Sequence, residues 1–195
     1  MNREEKLIQI KKLVDETAVL RKAGMEQLAP QLLDMAALIS GVIGAGGKIL
    51  LAGNGGSAAD ASHFAGEMIV RLSSRRNRQS LPAVSLCVDS SVLTAAANDF
   101  GYDHVFARQV EGLGNKGDLL FLISTSGNSR NLLNAVQAAR ARGVLTAALL
   151  GGNGGKLSKL VERALVVSHG STQRIQEEHI FIIHLLVEMI EDDLV

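Results

Sequence analysis

The 195 residues contain no tryptophan, one tyrosine and a single cysteine. Aromatic residues make up 3% of the chain, too few for the stacking platforms on which nucleic-acid bases are read. Twenty basic side chains balance twenty acidic ones, so there is no broad positive field to gather nucleic acid or anionic lipid. Any anion bound here must therefore be held by a local pocket. Cys87 alone can form neither an internal disulfide nor a thiolate cluster. It reads as a small structural residue at a strand end, and a partly exposed thiol is the other reading. The first twenty residues are rich in charge and lack a signal-peptide core, so a cytoplasmic chain is expected. Long hydrophobic runs are missing too. Segments such as Leu119 to Ile123 and Ile180 to Ile183 fall far short of the ~20 residues that cross a bilayer, and no membrane partner is expected. Proline is scarce, with 2 residues against 20 glycines, which points to many tight turns between regular elements.

The patterning that is present has two parts. From Arg3 to about Ala23, Leu7, Ile10, Leu13, Val14, Ala18 and Leu20 recur at helical spacing, and a second helix fits Pro30 to Ile43. Both precede the first strand signal and are candidates for packing against another subunit. From Lys48 the chain alternates strand, glycine turn and helix. Strands are expected at Ile49 to Ala52, Ala83 to Val88, Leu119 to Ile123, Leu145 to Leu150 and Ala164 to Ser168. Helices are expected at Asp60 to Arg71, Val92 to Asn98, His104 to Gly112, Asn131 to Ala141, Lys156 to Leu160 and Thr172 to Asp193. Apolar strands alternating with helices predict an α/β fold, a parallel five-stranded sheet flanked by helices on both faces. Ligands of such sheets bind beyond the carboxyl ends of the strands. The stretch Ser73 to Ser80, with Arg75, Arg76 and Arg78, reads as a solvated loop rather than a nucleic-acid site.

Two strand ends carry loops of one kind. Gly53-Asn54-Gly55-Gly56-Ser57 follows the first strand, and Ser124-Thr125-Ser126-Gly127-Asn128-Ser129 follows the third and leads into a helix. A helix start offers unpaired N–H groups and partial positive charge, and the hydroxyls of Ser124, Thr125, Ser126 and Ser129 can donate to a phosphate. The pattern lacks the Gly-Lys-Ser/Thr of a nucleotide P-loop, and Ala58 occupies the third glycine position of a dinucleotide fingerprint, so nucleotides are disfavoured. Two readings remain open: an anion cradle, or serines that merely cap a helix beside turn-forming glycines.

His63 and Glu67 lie four residues apart on one helix face, as a metal-ligating or acid/base pair or as a simple surface hydrogen bond. On the last helix, His179 and His184 are roughly 140° apart around the axis and cannot easily serve one site. Gln176 and His184 are roughly 80° apart but separated by about 12 Å of rise, so spacing does not select them as co-ligands. His184, among Ile182, Ile183, Leu185 and Leu186, fits an ordinary buried histidine. His104 and His169 have no partner at ligand spacing.

Taken together, Gly53 to Ser57, His63-Phe64-Ala65-Gly66-Glu67, Ala97-Asn98-Asp99-Phe100-Gly101, Ser124 to Ser129, Arg174-Ile175-Gln176-Glu177 and His184 resemble the phosphoheptose isomerases, a family with the sugar isomerase (SIS) domain fold. The resemblance covers essentially the whole chain. It implies a single SIS domain over 1–195, a Rossmann-like three-layer sandwich, with 1–46 as a helical oligomerisation segment. It further implies a homotetramer with active sites between subunits. The implied reaction interconverts sedoheptulose 7-phosphate and D-glycero-D-manno-heptose 7-phosphate, for bacterial heptose-containing surface sugars. By the same resemblance Ser124, Thr125, Ser126 and Ser129 hold the phosphate. Asn54, Gly55, Gly56, Asn98 and Asp99 contact the sugar, and His63, Glu67, Gln176 and His184 bind zinc, one ion per subunit. Glu67 and His184 are implied as the acid/base pair, with Glu67 and Gln176 also touching substrate. Ligation makes a carboxylate a weaker base, so Glu67 is expected to loosen its metal contact as substrate binds. Some members carry an acidic residue where this chain has Gln173, which receives no catalytic role.

Two other functions fit the same fold. One is a catalytically silent SIS-domain factor binding the replication initiator. Such factors resemble members that have lost the acid at the Glu67 position, which this chain keeps. The other is an isomerase of a different phosphosugar, because the loops specify phosphate more firmly than a carbon skeleton.

Overall fold

The computed structural model describes residues 1–194. Its first element is one continuous helix, α1 (Arg3–Gly44), where two were expected. Asn2 opens it with a capping box: its Oδ1 accepts from the Glu5 N–H at 2.9 Å, and the Glu5 carboxylate accepts from the Asn2 N–H at 2.8 Å. Pro30 removes one rung of the hydrogen-bond ladder without ending the helix. Packing explains this. Leu28, Leu32, Met35, Ala36, Ile39 and Val42 are buried against the domain on the proline side, so tertiary contact offsets the local penalty.

The alternating region follows in the expected order: β1 (Ile49–Gly53), α2 (Gly56–Ile69), β2 (Ala83–Ser85), α3 (Ser90–Phe100), α4 (Val105–Leu113), β3 (Leu119–Ser124), α5 (Arg130–Arg142), β4 (Leu145–Gly151), β5 (Arg163–Val167) and α6 (Thr172–Leu194). Several bounds differ from expectation. α2 starts at Gly56 rather than Asp60, because the Gly55 carbonyl already accepts from the N–H groups of Ala58 and Ala59. β2 stops at Ser85 rather than Val88: the Cys87 N–H turns to the Ser85 hydroxyl after one last bond from Leu86 to Leu51. His104 closes a 3-10 turn, Tyr102–His104, before α4, and the segment expected as a helix at Lys156 to Leu160 is a 3-10 turn over Leu157–Lys159.

All five strands are parallel, in the order β2-β1-β3-β4-β5. Successive strand residues face opposite layers. Ile49, Leu51, Leu119, Phe121, Ile123, Ala147 and Leu149 join the core beneath α1, α2 and α6. Leu50, Ala52, Leu120, Leu122, Ala148 and Leu150 join that beneath α4 and α5. Phe64 of α2 meets Phe121 edge to face at 5.4 Å, anchoring the helix that carries His63 and Glu67.

One 18-residue window of α1 is apolar enough by composition to cross a bilayer, and 39% of it is buried in the fold. The first half of α1 differs. Leu7, Ile8, Ile10, Val14 and Val19 are all more than half exposed there.

His179 on α6 is fully buried, and neither ring nitrogen has a hydrogen-bond partner. Burial pushes the imidazole down to about 4, and the nearby Leu150 backbone offsets this only in part. Because the folded value lies below the ordinary 6.5, this residue costs nothing above that pH and destabilises the fold as pH drops from about 6.5 towards 4. Chemical denaturation at pH 7.5 and 5 should show the wild type losing about 2 kcal/mol more than His179→Met. Equal losses in the two proteins would refute the assignment.

Candidate active site

The strand order places β1 and β3 side by side, and the chain departs from them in opposite directions, to β2 on one flank and to β4 and β5 on the other. Their carboxyl ends therefore open a crevice, and the two glycine and serine loops sit there. Asn54, just after β1, and Asn131, in the first turn of α5, close it with a pair of carboxamide bonds at 3.0 and 2.9 Å.

In the loop after β3, the Ser124 hydroxyl is buried and accepts from the Gly127 N–H at 3.1 Å, while the Ser126 hydroxyl accepts from the Asn128 N–H at 3.3 Å. Ser129 occupies the cap position of α5, but its hydroxyl makes no capping bond. The simple cap reading thus fails at Ser129, and the first N–H groups of α5 keep their capacity to receive an anion. A brace from the loop after β4 had no counterpart in the sequence reading, although its glycine run was a usable signal. The Gly127 carbonyl accepts from Leu157 at 2.9 Å, and the Asn128 side chain accepts from Lys156 at 3.1 Å. Gly127 has φ +62°, and a Cβ there would collide with the Gly154 carbonyl.

The second part of the site lies between α2 and α6. His63 Nε2 and His184 Nε2 approach to 2.9 Å, and Glu67 Oε1 lies 3.4 Å from the same His63 nitrogen. His184 is half-buried rather than an ordinary core histidine; the buried one is His179. Gln176 reaches over the start of α2, where its carboxamide occupies the space that a Cβ at Gly56 would fill. The structure thus gathers His63, Glu67 and His184 and sets Gln176 on Gly56. Asn98 and Asp99 are exposed and bonded to each other at 2.8 Å. Among the described residues, no hydrogen bond joins them or the Ser124 to Ser129 loop to the histidines. Gln173 accepts from the Ser171 hydroxyl at 2.9 Å, outside this group. His169, which has no partner at ligand spacing in the sequence, lies 3.2 Å from Glu16 of α1, a pairing across 153 positions of sequence.

Asp60 escaped the sequence reading altogether. It sits one turn before His63 with a buried, unpartnered Oδ2, and burial lifts its carboxyl to about 6 against the opposing pull of His63. Arg78 was read as part of a solvated loop, yet its side chain is 1% exposed. It bonds Glu191 of α6 at 2.6 Å and donates to the carbonyls of Glu67 at 2.7 Å and Met68 at 2.8 Å, at the last turn of α2. A cleft of about 450 Å³ runs from His184 along Arg75, Arg76 and Glu188.

Among the described residues, no group of three or more His, Cys, Asp or Glu side chains is arranged as a metal centre by itself. The donor set still suits a zinc-class ion, since two imidazole nitrogens face each other, a carboxylate stands beside them and an amide lies on the adjoining turn.

Both the sequence and the fold that carries this crevice are similar to those of known proteins. The SIS domain model matches residues 13–151, and the chain belongs to the SIS domain family. It is 49% identical over 176 residues to a phosphoheptose isomerase of Pelodictyon phaeoclathratiforme, covering 90% of this chain and 83% of that one. Solved structures of phosphoheptose isomerases from Neisseria gonorrhoeae and Francisella tularensis superpose with TM-scores of 0.89 and 0.91. Their identities are 41% and 33%, with 95% and 96% of this chain and 98% of each of theirs covered. Within the SIS family, the chain belongs with the phosphoheptose isomerases.

Three substitutions probe the framework. Glu191→Leu leaves a buried arginine unpaired and should cost about 3–5 kcal/mol, whereas Arg78→Met combined with Glu191→Leu should cost clearly less. Denaturation of the single and double variants reads the difference, and equal costs would mean that the pair is not coupled. Gly127→Ala should abolish binding of inorganic phosphate, measured by calorimetry, through the collision with Gly154.

Proposed function

We propose that the protein interconverts sedoheptulose 7-phosphate and D-glycero-D-manno-heptose 7-phosphate, an aldose–ketose isomerisation that begins the supply of heptose for bacterial surface sugars. The observation that carries this reading is the meeting of His63, His184 and Glu67 between α2 and α6, in a chain 49% identical to a phosphoheptose isomerase. A carbonyl moves from C2 to C1 when a proton leaves C1, the enediol oxygens exchange a proton, and a proton returns at C2. Glu67 is the carboxylate suited to take the carbon-bound proton, and His184 the imidazole suited to move the oxygen-bound one. His63, Glu67, Gln176 and His184 would hold zinc, one ion per subunit. That ion supplies Lewis-acid polarisation of the substrate oxygens when bound. Ser124, Thr125, Ser126 and Ser129 anchor the phosphate, and that remote binding orients the reacting carbons. Asn54, Gly55, Gly56, Asn98 and Asp99 are assigned to the sugar.

A homotetramer in the cytoplasm completes the proposal. Its support is the row of unpartnered apolar residues on the first half of α1, together with the exposure of α3, of which only Ala96 is buried. A second subunit on these faces would also enclose Asn98 and Asp99. The silent-factor alternative is disfavoured because Glu67 is present and lies beside His63.

Incubation with sedoheptulose 7-phosphate should yield the aldose 7-phosphate, and chelation should abolish turnover. Glu67→Gln should lower kcat by at least about 100-fold while inorganic phosphate still binds. Near-normal turnover in that variant would refute the base assignment. Absence of product with zinc bound would instead favour another phosphosugar or a binding role.

A further inference from the structure

Tyr102 is the chain's one tyrosine, and the residue is 58% exposed, yet its hydroxyl is committed: it donates to Asn54 Oδ1 at 3.0 Å. The same oxygen accepts from Asn131 Nδ2 at 2.9 Å, and Asn54 Nδ2 donates to Asn131 Oδ1 at 3.0 Å. A carboxamide oxygen has two lone pairs and its nitrogen two hydrogens. Both acceptor positions of Asn54 are therefore filled, and one N–H has no partner among the described residues.

Three distant stretches meet at this point. Asn54 follows β1, Asn131 lies in the first turn of α5 just past the phosphate loop, and Tyr102 stands in the turn that follows Asn98 and Asp99. That turn is itself pinned to α5. The Asp103 carbonyl accepts from Asn134 Nδ2 at 2.9 Å, and the Asp103 carboxylate pairs with Arg130 at 3.4 Å. Gly101, at φ +83°, makes the bend that separates the turn from α3. The phenol is thus held at a set distance from both loops by the helix that starts at the phosphate site.

We propose that Tyr102 is a positioning residue for substrate: its hydroxyl, with Asn131, fixes the Asn54 carboxamide so that Asn54 meets a sugar hydroxyl or carbonyl oxygen as a hydrogen-bond donor. The proposal rests on the reading of Asn54 as a sugar contact given above. It makes Asn54 selective for an acceptor on the sugar, because its own acceptor positions are already occupied. Since the residue is more than half exposed, removal of the hydroxyl alone should leave stability near that of the wild type.

Tyr102→Phe deletes one oxygen. With sedoheptulose 7-phosphate, KM and the sugar-phosphate Kd should rise about threefold to tenfold, the loss expected for one hydrogen bond that orders a contact. At the same time kcat should stay within about twofold, and Kd for inorganic phosphate should not change. In an Asn54→Ala background the same change should have no further effect on sugar-phosphate Kd, because the tyrosine acts through Asn54. An unchanged KM in an active Tyr102→Phe enzyme overturns this proposal alone, as does an undiminished Tyr102→Phe effect in the Asn54→Ala background. A wild-type protein that binds inorganic phosphate but not the sugar phosphate overturns the substrate reading and this proposal with it.

Discussion

The contact between α2 and α6 is the constraint on which the candidate chemistry depends. His63 and Glu67 belong to one helix, Gln176 and His184 to the other, and 121 positions of sequence separate the two histidines. Their nitrogens meet at 2.9 Å only because both helices pack on the same sheet face and are tied at their far ends by Arg78. A buried guanidinium bonded to one carboxylate and to several carbonyls at a helix end is a fixed strut, since any displacement leaves charge unsatisfied. Arg21 adds a second tie, gripping Glu178 of α6 from α1 through both carboxylate oxygens and lying over the Phe181 ring.

Close approach is the second theme, and glycine makes it possible. Gly56 admits the Gln176 side chain onto the start of α2, and Gly127 lets the Ser124 to Ser129 loop lie against the loop after β4. In both places a Cβ would intrude on an atom that the site needs. The loops are thus braced by neighbours rather than free in solvent.

Much of the fold could be read from the residues. Continuous apolar strands alternating with helices gave the parallel sheet, and all five strands and the long last helix are present in the expected order, β2 being shorter than expected. The misreadings have physical causes. Pro30 is a helix breaker by local chemistry, and buried neighbours overrule it. Val88 looks like strand, but the Ser85 hydroxyl captures the next N–H and ends the ladder at the sheet edge. Arg78 reads as surface charge until its partner, 113 positions away, is seen. At the site, the paired spacing of His63 and Glu67, the hydroxyl run of Ser124 to Ser129 and the glycine run after β4 were visible as signals, whereas Asp60 and Tyr102 were not.

The sequence by itself determined the class of fold, the two loops beyond strand ends and the pairing of His63 with Glu67, because each depends on residues a few positions apart whose geometry a helix or strand sets. Tertiary structure alone decided that His184 joins that pair, that Gln176 sits on Gly56, and that Asn54 is held by Asn131 and Tyr102. Those contacts depend on the angle and distance at which separate elements pack, and no local pattern encodes that.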